Sequence, residues 1–113
     1  MKKEKNKLFN SLIKWSEMES KAAKGAIETF GKEAQIIMAM EEMSELIQAL
    51  SKNIRGEDNV DNIAEEIADV SIMLEQMMII FACSDKVAEW HKKKICKLIQ
   101  KIKKAKAREK NAT

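Results

Sequence analysis

The chain has 113 residues and no proline, and its only glycines are Gly25, Gly31 and Gly56. With so few residues that stop a helix, long uninterrupted helices are expected. It has one histidine, His91, so a metal site built on several imidazoles is excluded. Its two cysteines, Cys83 and Cys96, lack metal-ligand spacing and read as ordinary thiols of a reducing cytosol. Aromatic residues are scarce: Phe9, Trp15, Phe30, Phe81 and Trp90. There is no long hydrophobic run. The richest stretch, Val70 to Cys83, is interrupted by Ser71, Glu75 and Gln76, so no membrane span is expected. No apolar run follows the basic start, Met1 to Lys7, so no signal peptide is read there either. No Walker loop, glycine-rich phosphate cradle or nucleophilic triad is present.

What the chain does have is charge, unevenly spread. Its formal net charge is +3. From Glu28 to Glu75 twelve acids face only Lys32, Lys52 and Arg55, a net of −9. From Lys86 to Thr113 eleven Lys and Arg face Glu89 and Glu109, a net of +9. An acidic middle with a basic end suits a site that holds cations and polyanionic phosphates together.

Apolar periodicity divides the chain into four helices. The first is expected over about Leu8 to Ala23, broken by Gly25 and the Thr29-Phe30-Gly31 stretch. The second runs from about Lys32 to Asn53, with a stripe of Ile36, Ala39, Met40, Met43, Leu46, Ile47 and Leu50. Arg55-Gly56-Glu57-Asp58 reads as a turn, with Asp58 or Asn59 as N-cap. The third helix runs to about Cys83, its stripe Ile63, Ile67, Val70, Leu74, Met77 and Phe81. The fourth starts near Asp85 and carries Val87, Trp90, Ile95, Leu98, Ile99 and Ile102. The expected fold is all-α: a single four-helix, bundle-like domain over residues 1–113, with a motif-bearing core at 28–102 and a frayed basic tail at 103–113.

Two carboxylate clusters stand out, Glu41-Glu42-Met43-Ser44-Glu45 and Glu66-Ile67-Ala68-Asp69. Glu42 and Glu45 are three apart and leave one helix face; Glu66 and Asp69 repeat the spacing. A short turn makes the two helices antiparallel neighbours, and the clusters lie at nearly equal distances from Gly56. Four carboxylates should therefore converge at the edge of the core. Like charges that close need a positive partner. Oxygen-only ligands favour Mg2+, or Mn2+, over Zn2+ or iron. Such ions clamp polyphosphates and activate water. Glu41, four before Glu45, could touch the site from the side. Lys52, seven after Glu45, could reach a phosphate. A base could stack only on one of the few aromatics, Trp15 or Phe30 among them.

The pattern Glu-Glu-x-x-Glu, a spacer, then Glu-x-x-Asp resembles the signature of the all-α NTP pyrophosphohydrolases, the MazG-like proteins related to the dimeric dUTPases and dCTPases. The flanking text, Phe30-Gly31-Lys32-Glu33-Ala34-Gln35 and Ala68-Asp69-Val70-Ser71-Ile72-Met73-Leu74-Glu75-Gln76, is similar to short phage and bacterial members. The resemblance implies Mg2+-dependent cleavage of a nucleoside triphosphate between the α and β phosphates, giving a monophosphate and pyrophosphate. It implies Glu42, Glu45, Glu66 and Asp69 as Mg2+ ligands and Glu41 as an added ligand or water-orienting group. Lys94, Lys97 and Lys101 stand where the family carries a Lys-x-x-Arg-type element, with lysine where arginine is usual. It also implies a homodimer or homotetramer; the composition suggests the cytoplasm and no membrane partner, and nucleic acid is not the expected partner. The competing expectation is a non-enzymatic helical module that binds nucleic acid or a protein partner through its basic last helix.

Overall fold

The computed structural model describes residues 1–112. Four helices and no strand are found among them: α1 (Lys2–Phe30), α2 (Lys32–Ile54), α3 (Val60–Ile80) and α4 (Ser84–Ala112). None is long and apolar enough to cross a membrane. The chain divides into two compact units, Met1–Phe81 and Ala82–Thr113.

In the first unit α2 and α3 form the main packing pair, and α1 lies more lightly against both. Gly56 (φ +102°) makes the turn between α2 and α3. Asn59 is the N-cap of α3, as its position suggests. Its side chain does not cap its own helix. Instead its Nδ2 donates to the Ala49 carbonyl at 2.9 Å and ties the start of α3 to the last turns of α2.

α1 is longer at both ends than the sequence suggests. It runs through Gly25 and stops only at Gly31. A mid-helix glycine costs about 1 kcal/mol relative to alanine, and the neighbouring Ala22, Ala23 and Ala26 are strong helix formers that bridge it. The end at Gly31 is different, because φ +93° and ψ 154° lie in a region open essentially to glycine alone.

The buried seam between α2 and α3 is small and mixed in polarity. It holds Gln35, Ala39 and Ala49 from α2 and Met73 and Gln76 from α3. The apolar stripes read from the sequence enter it only in part: Ala39 is buried, and Ile36, Leu46, Ile63, Val70 and Met77 are half-buried. Met40, Ile47 and Leu50 on α2, and Ile67, Leu74 and Phe81 on α3, are exposed within the unit. The reason is periodicity: positions 35, 39, 42, 46 and 49 share one face of α2, and the larger side chains occupy the adjoining one.

The second unit is α4, helical as far as Ala112, so the basic segment 103–112 continues the helix where a frayed tail is expected from sequence. Thr113, the last residue of that tail, lies outside the described residues. Lys93 and Lys94 place their ammonium groups 5.1 and 5.9 Å from the centroid of the Trp90 ring.

The joint between α1 and α2 yields the first test. A Cβ at Gly31 would meet no atom within 4 Å, so Gly31→Ala adds no clash and only forces an alanine into a strained backbone. It should cost about 1–3 kcal/mol of unfolding free energy, read as a lower denaturant midpoint at unchanged slope. An unchanged midpoint would show that this backbone is not strained.

Candidate functional site

The buried Gln35–Gln76 pair sets the register of the hairpin. Gln35 Nε2 donates to Gln76 Oε1 at 2.6 Å across the seam. Gln35 stands seven residues, two helical turns, before Glu42; Gln76 stands seven after Asp69. In an antiparallel pair this one bond sets Glu42 level with Asp69, and three residues on sets Glu45 level with Glu66. The four residues each offer a carboxylate oxygen, and those oxygens all lie within 4.8 Å of one another.

The cluster lies between dry layers. Ala39 and Met73 close it on the glutamine side, 1% and 5% exposed, and Ala49 closes it toward the turn. Glu42, Glu66 and Asp69 are half-buried and Glu45 is exposed, so the site opens on one side. Glu42 Oε2 and Glu66 Oε2 are buried and have no hydrogen-bond partner among the described residues. Buried carboxylate oxygens without a donor are costly, since desolvation is not offset.

The electrostatics follow from this placement. Burial first, then the adjacent Glu45 carboxyl and the charges of Asp69 and Glu66, push Glu42 up from 4.5 to about 7. Burial, then the charges of Glu45 and Asp69, with Glu65 adding to them, likewise raise Glu66. Every charged neighbour that moves these two groups is another carboxylate.

The remaining candidates are placed as follows. Glu41 is exposed and outside the group of four. Lys52 is exposed in the last turn of α2, two turns from Glu45 on the same face. Lys94, Lys97 and Lys101 lie on exposed turns of α4, in the second unit. Lys94 lines a shallow hollow of α4 with Trp90 and His91. Cys83 and Cys96 are free thiols.

Sequence reasoning missed Gln35 and Gln76, and with them the bond that fixes the register. Their signal was the seven-residue offset from Glu42 and from Asp69, which puts each glutamine on the carboxylate face. It also missed Glu65, whose charge adds to the burden on Glu66.

Comparison of the chain with protein-family models, curated proteins and solved structures found no match.

The donor set could hold a hard divalent cation: four carboxylates, two with orphaned buried oxygens and no cationic side chain to balance them. A dependence on pH follows. Folded Glu42 keeps its proton up to about 7, whereas the unfolded carboxyl releases it near 4.5. Between those values the folded state binds more protons than the unfolded one. Ion-free stability is therefore greatest in acid and falls as pH rises through that window. With chelator present, the melting temperature should drop between about pH 5 and about pH 8. Added Mg2+ should raise it at about pH 8 and do little at about pH 5, where protons compete for the oxygens. A Mg2+ effect equal at both pH values would contradict the site.

Proposed function

We propose that this protein is a Mg2+-dependent nucleoside triphosphate pyrophosphohydrolase, acting where Glu42, Glu45, Glu66 and Asp69 meet. The observation that carries the reading is the set of four convergent carboxylates, two of which have a buried oxygen with no donor among the described residues. The motif spacing resembles that of the MazG-like proteins, and the geometry brings together the four residues which that resemblance implies as ligands.

The overall reaction adds water across the α–β anhydride. The water oxygen bonds to the α phosphorus, the bridging oxygen leaves with the β phosphorus, and the products are a nucleoside monophosphate and pyrophosphate. Mg2+, or Mn2+ in its place, would supply positive charge to the phosphates and make water more acidic. In this reading the four carboxylates bind the ion and are ionised when they do so. Glu41, at the rim, orients the attacking water or lends a further oxygen. Lys52, and on α4 Lys94, Lys97 and Lys101, meet the phosphate charge that the ion leaves over.

Pyrophosphate release from a panel of nucleoside triphosphates tests the proposal. Glu45→Ala or Asp69→Ala should lower kcat/KM by more than the ~10–100-fold that loss of an outer-shell metal partner costs, with helix content kept. Turnover near wild type in either variant would sink the site assignment. Lys94→Ala or Lys97→Ala should raise KM for a triphosphate with little effect on folding.

One observation favours a second reading, a nucleic-acid-binding module: the basic residues gather on α4, which is a unit of its own. Unchanged nucleotide kinetics in the lysine variants, with tight and steeply salt-sensitive RNA or DNA binding by the parent, would reverse the order of the two.

The assembly belongs to the same proposal. Within the first unit Leu8, Phe9, Leu12, Ile47, Leu74 and Phe81 are exposed, which is more apolar surface than a lone soluble chain commonly shows. A homodimer, or a dimer of dimers, would cover it, in the cytoplasm as the composition suggests. Light scattering should give at least twice the 12.9 kDa chain mass at micromolar concentration. A stable monomer there would contradict the assembly.

A further inference from the structure

A cleft of about 580 Å3 opens between α1 and α3, and the carboxylate site does not account for it. Its walls are largely apolar, with Trp15 and Ala23 from α1 and Ile72 from α3. Four polar side chains interrupt them: Glu19, Ser71, Glu75 and Gln76, and the Ser71 hydroxyl is spent on the Ile67 carbonyl at 2.9 Å. We propose that this cleft is the base subsite of the pyrophosphohydrolase and that it selects nucleobases bearing an exocyclic amino group. The inference rests on the reading of the carboxylate site given above.

Position comes first. Ile72 and Gln76 stand three and seven residues beyond Asp69, so the cleft begins less than one turn from the cluster and its far end lies ~10 Å along α3 from Asp69. That is the length of a nucleoside between its α phosphate and the far edge of its base. A base in the cleft would leave its phosphates at the four carboxylates.

Stacking is the second argument. Trp15 is 59% exposed and forms one wall of the cleft. Its indole is held by a bond from Nε1 to Glu19 Oε1 at 3.0 Å. A fixed indole face beside an apolar slot is a stacking surface for any base.

Polarity then narrows the choice. Glu19 has a second oxygen without a partner, and Glu75, half-buried in the wall, has no hydrogen-bond partner among the described residues. Ionised carboxylates only accept. Two of them in one slot favour an edge that donates, such as the amino groups of cytosine, adenine and guanine, and oppose the carbonyl-flanked edge of uracil or thymine. Gln76 is 4% exposed and spends its Oε1 on Gln35, which leaves its Nε2 to donate to a ring nitrogen or carbonyl beside the amino group.

The test uses two measurements. The first is kcat/KM for pyrophosphate release with Mg2+ from dCTP, dATP and dGTP against dUTP and dTTP. The amino-bearing group should lead by about 10-fold or more. Glu75→Gln, whose amide can donate as well as accept, should shrink the dCTP to dUTP ratio through KM, with kcat for dCTP held; a merely structural role would lower kcat for every substrate alike. Equal use of dUTP and dCTP by the parent, or an unchanged ratio in Glu75→Gln, overturns the proposal. The second measurement is fluorescence of Trp90→Phe, in which Trp15 is the only indole, titrated with dCMP and dUMP without metal. Stronger quenching by dCMP supports the subsite, and no difference overturns it. If no triphosphate is hydrolysed but dCMP still quenches preferentially, the pyrophosphohydrolase reading fails and the base subsite stands; if neither occurs, both fail.

Discussion

Four carboxylates held within 4.8 Å of one another are the constraint on which the rest of this structure turns. Two packed helices do not gather such a group without cost. Each ionised oxygen repels three neighbours through a partly dry medium, where screening is weak. Burial first, and then the neighbouring carboxylates, make Glu42 and Glu66 resist ionisation, and no lysine or arginine among the described residues relieves them. Stability could be gained by replacing any one of the four with an uncharged residue. Sites that sacrifice stability in this way are commonly where function is located.

The surrounding architecture holds the cluster in place. α2 and α3 meet through small side chains, Ala39 and Ala49, which let the helices approach closely enough for the carboxylates to converge. The Gln35–Gln76 bond fixes the register on one side and the Asn59–Ala49 bond closes it on the other. A one-residue slip of either helix would turn its acids by about 100° and scatter the group. Large apolar side chains such as Ile47, Leu74 and Phe81 consequently sit on adjoining faces, where they are open within the unit. The same geometry that assembles the acids therefore leaves apolar surface open within the unit.

Much of this was legible in the sequence, for definite reasons. The i, i+3 spacing of each acidic pair and the Gly56 turn were enough to place the four residues on facing helices. The boundaries of α2 followed from the glycines, and the N-cap of α3, Asn59, was one of the two candidates, Asp58 and Asn59. Three features were hidden. Gly25 looks like a stop, yet it lies inside α1 because its alanine-rich neighbours keep the helix going. The periodic apolar stripes look like the core, yet only Ala39 of the α2 stripe is fully buried and the seam is made of small residues, Met73 and two glutamines, since hydrophobicity alone does not tell which of two adjacent faces meets the partner helix. Gln35 and Gln76 look like solvent-facing residues, and only their offset from the carboxylates marks them as buried.

The central claim is that the cluster is a divalent-cation site. It is tested most directly by titrating Mn2+ into the ion-free protein and following free Mn2+ by electron paramagnetic resonance. Wild-type protein should deplete the free signal in a saturable way, Mg2+ should compete it back, and Asp69→Asn should abolish the depletion. Wild-type protein that leaves the free Mn2+ signal unchanged, or an Asp69→Asn variant that binds as the parent does, would contradict the account.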